Sequence, residues 1–194
     1  MNTPSHFLMT AALEQAKPRI PIAKSAFLLG SVAPDLPLWL LSIGGMIYYR
    51  YFLGWSSSDA FRYMFDELFF HHPLWIIGHN FLHAPLVLLA GIALVWRSRR
   101  NIDSRSRWLF WFLVACLLHC GVDILTHVND GPLIFFPLDW QTRFHSAVSY
   151  WDDRYHAQQF QIFEQTANLI FLLYLTAPHL QHVRRSFRRW LSSF

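Results

Sequence analysis

The stretch His119-Cys-Gly-Val-Asp123-Ile-Leu-Thr-His127 places two imidazoles and a carboxylate at i, i+4 and i+8. On a helix these positions form one ridge. Two histidines and an aspartate on one ridge are a ligand set for a divalent metal, zinc above all. The rival reading is a His/Asp pair hydrogen-bonded inside a bundle. A second pair with the same spacing, His79 and His83, stands in Gly78-His79-Asn80-Phe81-Leu82-His83-Ala84-Pro85. Asp35 sits between Pro34 and Pro37 inside an apolar run. A carboxylate at the centre of a membrane helix costs about 2.5–3.5 kcal/mol, so Asp35 reads as a ligand, a base, or the cap of a helix break. His6, Asp130 and Glu164 complete the chemically capable residues that the surrounding sequence does not explain away.

The elements that must position them are apolar. The chain is 54% hydrophobic, 18% aromatic and only 14% charged, where a soluble domain has about 25% charged residues. An integral membrane protein follows. Arginines collect at Arg97 to Arg107 and Arg184 to Arg189, with Lys17, Arg19 and Lys24 near the start. These clusters sit at the ends of apolar runs, which fits the positive-inside rule and argues against a nucleic-acid partner. Cys116 and Cys120 lie one turn apart in an apolar helix and read as buried small residues, not a disulfide. The first dozen residues lack a basic start and a long apolar core, so no cleavable signal peptide is expected.

In order, residues 3–16 read as a short helix capped by Thr3, with Pro4 in its first turn, and Lys17-Pro18-Arg19-Ile20-Pro21 breaks it. Apolar runs follow at 25–49, 73–96, 108–127 and about 160–176. Residues 50–72 read as an interfacial loop with a short amphipathic helix near 58–70. Residues 128–160 read as an outer loop rich in Asp, Pro and aromatics, and 178–194 as a basic amphipathic tail. The expected architecture is an all-α bundle of about four transmembrane helices plus a short N-terminal helix and a long aromatic outer loop. Residues 1–194 form one domain.

With the arginine-rich loop and the tail placed in the cytoplasm, depth can be counted at 1.5 Å per residue. His119, Asp123, His83, His79, Glu164 and Asp35 then fall between roughly 18 and 27 Å above the inner surface. His6, on the other arm of the N-terminal hairpin, can reach the same level. The expectation is one polynuclear metal site opening towards the outer face, its N-terminal helix tucked in as a re-entrant arm.

Thr3-Pro-Ser-His6, Ala33-Pro-Asp35, His79-Asn-Phe-Leu-His83 and His119-x-x-x-Asp123-x-x-Thr126-His127, with Phe136-Pro-Leu-Asp-Trp140 and Val148-Ser-Tyr-Trp-Asp152, stand in an order that resembles the bacterial membrane-bound metal-dependent hydrolases. These are similar in turn to zinc-dependent phospholipase C and the single-strand zinc nucleases. The resemblance runs from residue 3 to about 164. It implies an all-helical fold and two zinc ions or three, with another divalent metal as an alternative. The implied ligands are His6, Asp35, His79 or His83, His119, Asp123 and His127, with Asp123 bridging and Glu164 as the terminal carboxylate. The chain departs from the soluble enzymes in starting at Met1, where they ligate through an N-terminal Trp. It also has Phe160 four residues before Glu164, where they have a His. Only loop folding would bring His145 or His156 in as replacements.

The function these readings imply is metal-dependent hydrolysis of a phosphoester, on a membrane lipid or lipid-linked substrate, with Asp35 or Asp130 taking the proton. Trp55, Trp140, Tyr150 and Trp151 would line the entrance or belong to the interfacial aromatic belt. The implied location is the bacterial inner membrane, multi-pass, with the C-terminus cytoplasmic. A transporter for metal ions or protons and a haem protein using paired histidines are the alternatives.

Overall fold

The computed structural model describes residues 1–16, 20–97 and 104–191, with side chains described to residue 178. The break expected at Lys17 to Arg19, most of the basic loop (98–103) and the side chains of the basic tail (179–194) lie outside the described residues. Among those described there is no β-strand, only an isolated bridge between Leu133 and Arg143. The all-α expectation holds.

Helix α8 (Ser104–Thr126) is the axis. Helix α2 (Lys24–Gly30) packs along one side of it and α7 (Pro85–Val95) along another. The α2 contact is close because residue 30 is glycine: a Cβ there would lie 2.3 Å from the Phe112 carbonyl oxygen. Leu88 of α7 packs with Cys116 and Cys120 of α8, all fully buried. Both cysteines are free, as expected.

The apolar run at 25–49 is not one helix. It divides into α2 and α3 (Leu36–Ile47) around a turn at Ser31 to Asp35, and continues as a π-helical turn at Tyr48–Phe52. Pro34 and Pro37 supply the physical cause: residues before proline are pushed out of the α region, and proline itself fits only a helix start. The 73–96 run is likewise bent by 48° between α6 (Pro73–Asn80) and α7, ahead of Pro85. Helical turns from Ser57 to His71, α4 (Ser57–Arg62), a π segment (Tyr63–Leu68) and α5 (Phe69–His71), occupy the expected amphipathic stretch. Met64, Phe69 and Trp75 form their core with α6.

Among the described residues one helix, spanning Arg105–Thr126, is long and apolar enough to cross a membrane, and the bent α6–α7 pair makes a second if it counts as one span. Many large apolar side chains face outward, including Leu40, Leu94, Ile162 and Phe163 at 67–87% exposure. Such a surface is costly in water and suits a hydrocarbon solvent.

The N-terminal helix α1 (Thr3–Ala16) packs against α9 (Ala157–Leu191) and α2. Asn2, not Thr3, precedes the helix: its carbonyl accepts from the amides of Ser5 and His6. The last helix was expected to end near residue 176, but α9 runs on through Pro178. Proline has no amide hydrogen, so the carbonyl of Tyr174 lacks its helical donor. Gln15 of α1 fills that vacancy, Nε2 donating at 3.1 Å. Residues 128–156 form the long aromatic loop expected on the outer side. The side chain of Asn80, fully buried, pins it by accepting from the amide of Leu133 at 2.7 Å.

Candidate metal centre

Two helix breaks leave backbone carbonyls without their usual donors, and each takes a histidine. At the turn after α2, the amide of Asp35 bonds to Val32, and the Ser31 carbonyl accepts instead from Nδ1 of His119 at 2.7 Å. At the α6–α7 bend, the amide of His83 bonds to Asn80, and the His79 carbonyl accepts from Nδ1 of His83 at 2.8 Å. A carbonyl can only accept, so both histidines donate through Nδ1 and turn Nε2 inward, the nitrogen left to ligate a metal. Orientation of a ligating imidazole by a carbonyl on its far nitrogen is the usual outer support of a metal site.

The two Nε2 atoms stand 3.1 Å apart. At that distance either a shared proton or a metal ion joins them. Asp35 Oδ1 lies 3.4 Å from Nε2 of His119 and 3.5 Å from that of His83. Asp123 Oδ2 lies 3.0 and 3.4 Å from the same atoms. Ligands placed 2.0–2.1 Å from a tetrahedral zinc are about 3.3–3.4 Å apart. Asp35, His83, His119 and Asp123 thus have the spacing of one tetrahedral site, with three of the four buried. A buried group of His and Asp able to hold a metal is present; which metal is not fixed by the geometry.

The question whether Asp35 merely caps a break is decided. It occupies the N-cap position of α3, yet its side chain makes no capping bond. Its second oxygen, Oδ2, accepts from the hydroxyl of Thr3. Thr3→Val is expected to leave the helices intact and weaken metal affinity about 10- to 100-fold, the range for loss of a ligand's outer partner. Competition against a coloured chelator measures it.

The other residues named from sequence are close by but differ in role. His6 is fully buried and stacks on His119 with ring centroids 3.6 Å apart. Its Nε2 lies 2.8 Å from Asp123 Oδ1, the oxygen turned away from the four-ligand group. The Met1 amine donates to the same oxygen at 3.0 Å and to Thr126 at 2.8 Å. His127 donates through Nδ1 to the carbonyl of Asp123 at 2.9 Å and lies against Tyr150, the two rings tilted by 50°. Glu164 is buried, and its two oxygens accept from the backbone amide and side-chain amide of Asn2 at 2.7 and 2.8 Å. It anchors the N-terminal arm that delivers His6. His79 lies beside His83, ring centroids 4.7 Å apart, and neither of its nitrogens has a partner. Asp130, half-buried, accepts from the indole of Trp151 at 2.7 Å. His145 and His156 are both exposed on the loop.

His79, His127 and Asp130 face a cavity of about 620 Å³ between the Ser57–His71 turns and the outer loop. Tyr150 and Trp151 line it as well, whereas Trp55 packs on Tyr49 and Tyr63, and Trp140 on Phe136. Burial raises the Tyr150 hydroxyl above its ordinary pKa, which keeps it a donor at neutral pH. Arg143 lies over the rings of Phe69 and Phe70 at 5.3 and 5.4 Å and donates to the carbonyl of Gly131. Burial lowers its pKa to about 10, so it remains a cation. Sequence spacing does not mark Asn2, Thr3, Ser31 or Asn80 as supports. Thr3 reads as a helix cap, and a backbone carbonyl leaves no mark in a side-chain pattern.

Compared with known proteins, residues 1–186 match the family model described as YdjM inner membrane protein. No curated protein and no solved structure matches.

Proposed function

The chain belongs to the YdjM inner membrane protein family, and from that membrane location we propose that it is a metal-dependent hydrolase cleaving a phosphoester on a lipid or lipid-linked substrate. The observation that carries the reading is the pair of inward Nε2 atoms, 3.1 Å apart and flanked by two carboxylates. Zinc is the metal that this donor set and spacing suit best. When bound, it supplies Lewis acidity towards a phosphoryl oxygen and an activated water.

The protein's own groups do the rest. Asp123 offers one oxygen to the four-ligand group and the other to His6, the geometry of a carboxylate shared between two cations. The residues on hand to hold a second zinc would be His6, His127 and Glu164 beside Asp123. Asp35 has both oxygens engaged, so Asp130, with one free oxygen on the cavity wall, is the better proton acceptor. In the reaction the water oxygen bonds to phosphorus and the ester P–O bond breaks. Asp130 takes one proton from the water and returns it to the departing alkoxide oxygen, which leaves as the alcohol. The proposed topology is multi-pass, with the C-terminus cytoplasmic and the cavity opening to the outer face, where headgroups lie.

Geometry weighs against the haem alternative: axial imidazoles need a porphyrin between them, and 3.1 Å leaves no room for one. Elemental analysis of detergent-purified protein is expected to find zinc. Chelation should abolish hydrolysis in a phosphodiester screen, and added zinc should restore it. Metal or proton flux in liposomes without any turnover would replace the hydrolase with a transporter.

A further inference from the structure

The cavity beside the metal centre has two unlike walls. Leu38, Phe61, Phe65, Phe69 and Phe70 make one, apolar except for Asp66 among them. Asp130, Ser149, Tyr150, Asp152 and Arg154 make the other. Its volume of about 620 Å³ lies in the range of small-ligand sites, roughly 300–1,000 Å³. At its edge is His79, only 7% exposed, with Phe69 on one face at 4.8 Å and His83 on the other. Neither ring nitrogen has a partner. A buried polar group left unpaired is costly, and native proteins rarely tolerate one without a use.

A purely apolar occupant would leave His79 unsatisfied. A purely polar one would be held against five apolar side chains. We propose that the cavity seats one phosphoryl lipid, its chain along Phe61, Phe65 and Phe69 and its phosphoryl oxygens at His79 and the Tyr150 hydroxyl. Arg143, over the rings of Phe69 and Phe70 and bonded to the Gly131 carbonyl, braces the apolar wall from behind. The head then lies next to the metal centre, because His127 lines the same cavity and is bonded to the backbone of Asp123. This deepens the hydrolase reading by naming the substrate's form, but the seat itself is tested without any turnover.

Binding of n-butyl-, n-hexyl- and n-octylphosphonate to the full chain in detergent, by calorimetry and before and after chelation, is the experiment. These probes carry a phosphoryl head, one tail and no hydrolysable bond. Affinity is expected to rise about fourfold per added methylene, the transfer value of an apolar carbon. Phe61→Ser, at an exposed position on the cavity wall, and Phe65→Ser should at least halve that dependence on tail length. His79→Leu should lower affinity for all three probes about tenfold and leave the dependence on tail length intact. Equal tail-length dependence in wild type and both phenylalanine variants would mean partition into micelles and overturn the proposal, as would undiminished binding by His79→Leu. If phosphonates bind as expected and no phosphoester is cleaved, the hydrolase reading fails and the lipid seat stands. If esters are cleaved and the phenylalanine variants change nothing, the reverse holds.

Discussion

Asp123→Ala is expected to remove bound metal and turnover together, each to below detection. Asp123 is the residue on which the site converges: its Oδ1 faces His6 and the Met1 amine, and its Oδ2 faces His119 and His83. Without it, Asp35 is the one carboxylate left beside His83 and His119, and His6 and the Met1 amine lose their acceptor. A cation bound there would lose one of its two anionic ligands and the group that orders the N-terminal arm. Losing an outer partner of a ligand costs 10- to 100-fold; losing the shared ligand costs more. Asp123→Asn keeps the shape and removes the charge, and should fold normally by circular dichroism yet hold no zinc. Normal metal content in either variant would remove the metal centre from this protein.

Gly30→Ala is expected to destabilise the protein by about 3 kcal/mol, at the upper end of overpacking costs, and to weaken zinc binding with it. Two effects oppose each other. Alanine is the better helix former by about 1 kcal/mol. Against that, its Cβ would stand 2.3 Å from the Phe112 carbonyl oxygen and 2.8 Å from the Ala115 Cβ. Those atoms belong to α8 and its backbone and cannot swing aside, so the clash decides the sign. The helix that shifts carries Ser31, the next residue, whose carbonyl aligns His119. Gly44→Ala in α3 is the control: nothing lies within 4 Å of the added carbon, and helix propensity should make it neutral or stabilising. Thermal midpoints in detergent and chelator competition report both quantities.

The ligand ladder shows how far spacing carries. Reading His119, Asp123 and His127 as one ridge placed the first two correctly. Four residues advance a helix by 400°, so each step drifts about 40° and two steps about 80°. His127 is therefore turned off the axis shared by His119 and Asp123, towards the cavity and Tyr150. Depth counting brought Asp35, His83, His119 and Asp123 to one level, as the structure has them. It did so for Asp35 through an assumption that failed, since the run it was counted along is two helices and a turn. Hydropathy registers the apolar character of residues 25–49 and not their continuity; only the two prolines carried that information. The continuation of α9 through Pro178 was beyond reach for a different reason. It depends on Gln15, a residue from the other end of the chain, filling the vacancy the proline leaves.

That pairing is one of several between α1 and α9. Asn2 bonds to Glu164 and Ser5 to Asn168, across 162 and 163 residues. The clasp between α1 and α9 thus closes the fold across most of the described residues, and through Asn2 and Glu164 it holds the arm that sets His6 against Asp123. The four-ligand group itself is drawn from residues 35 to 123 and does not include that arm. Severing the clasp should therefore free the His6 ring and leave the four ligands together.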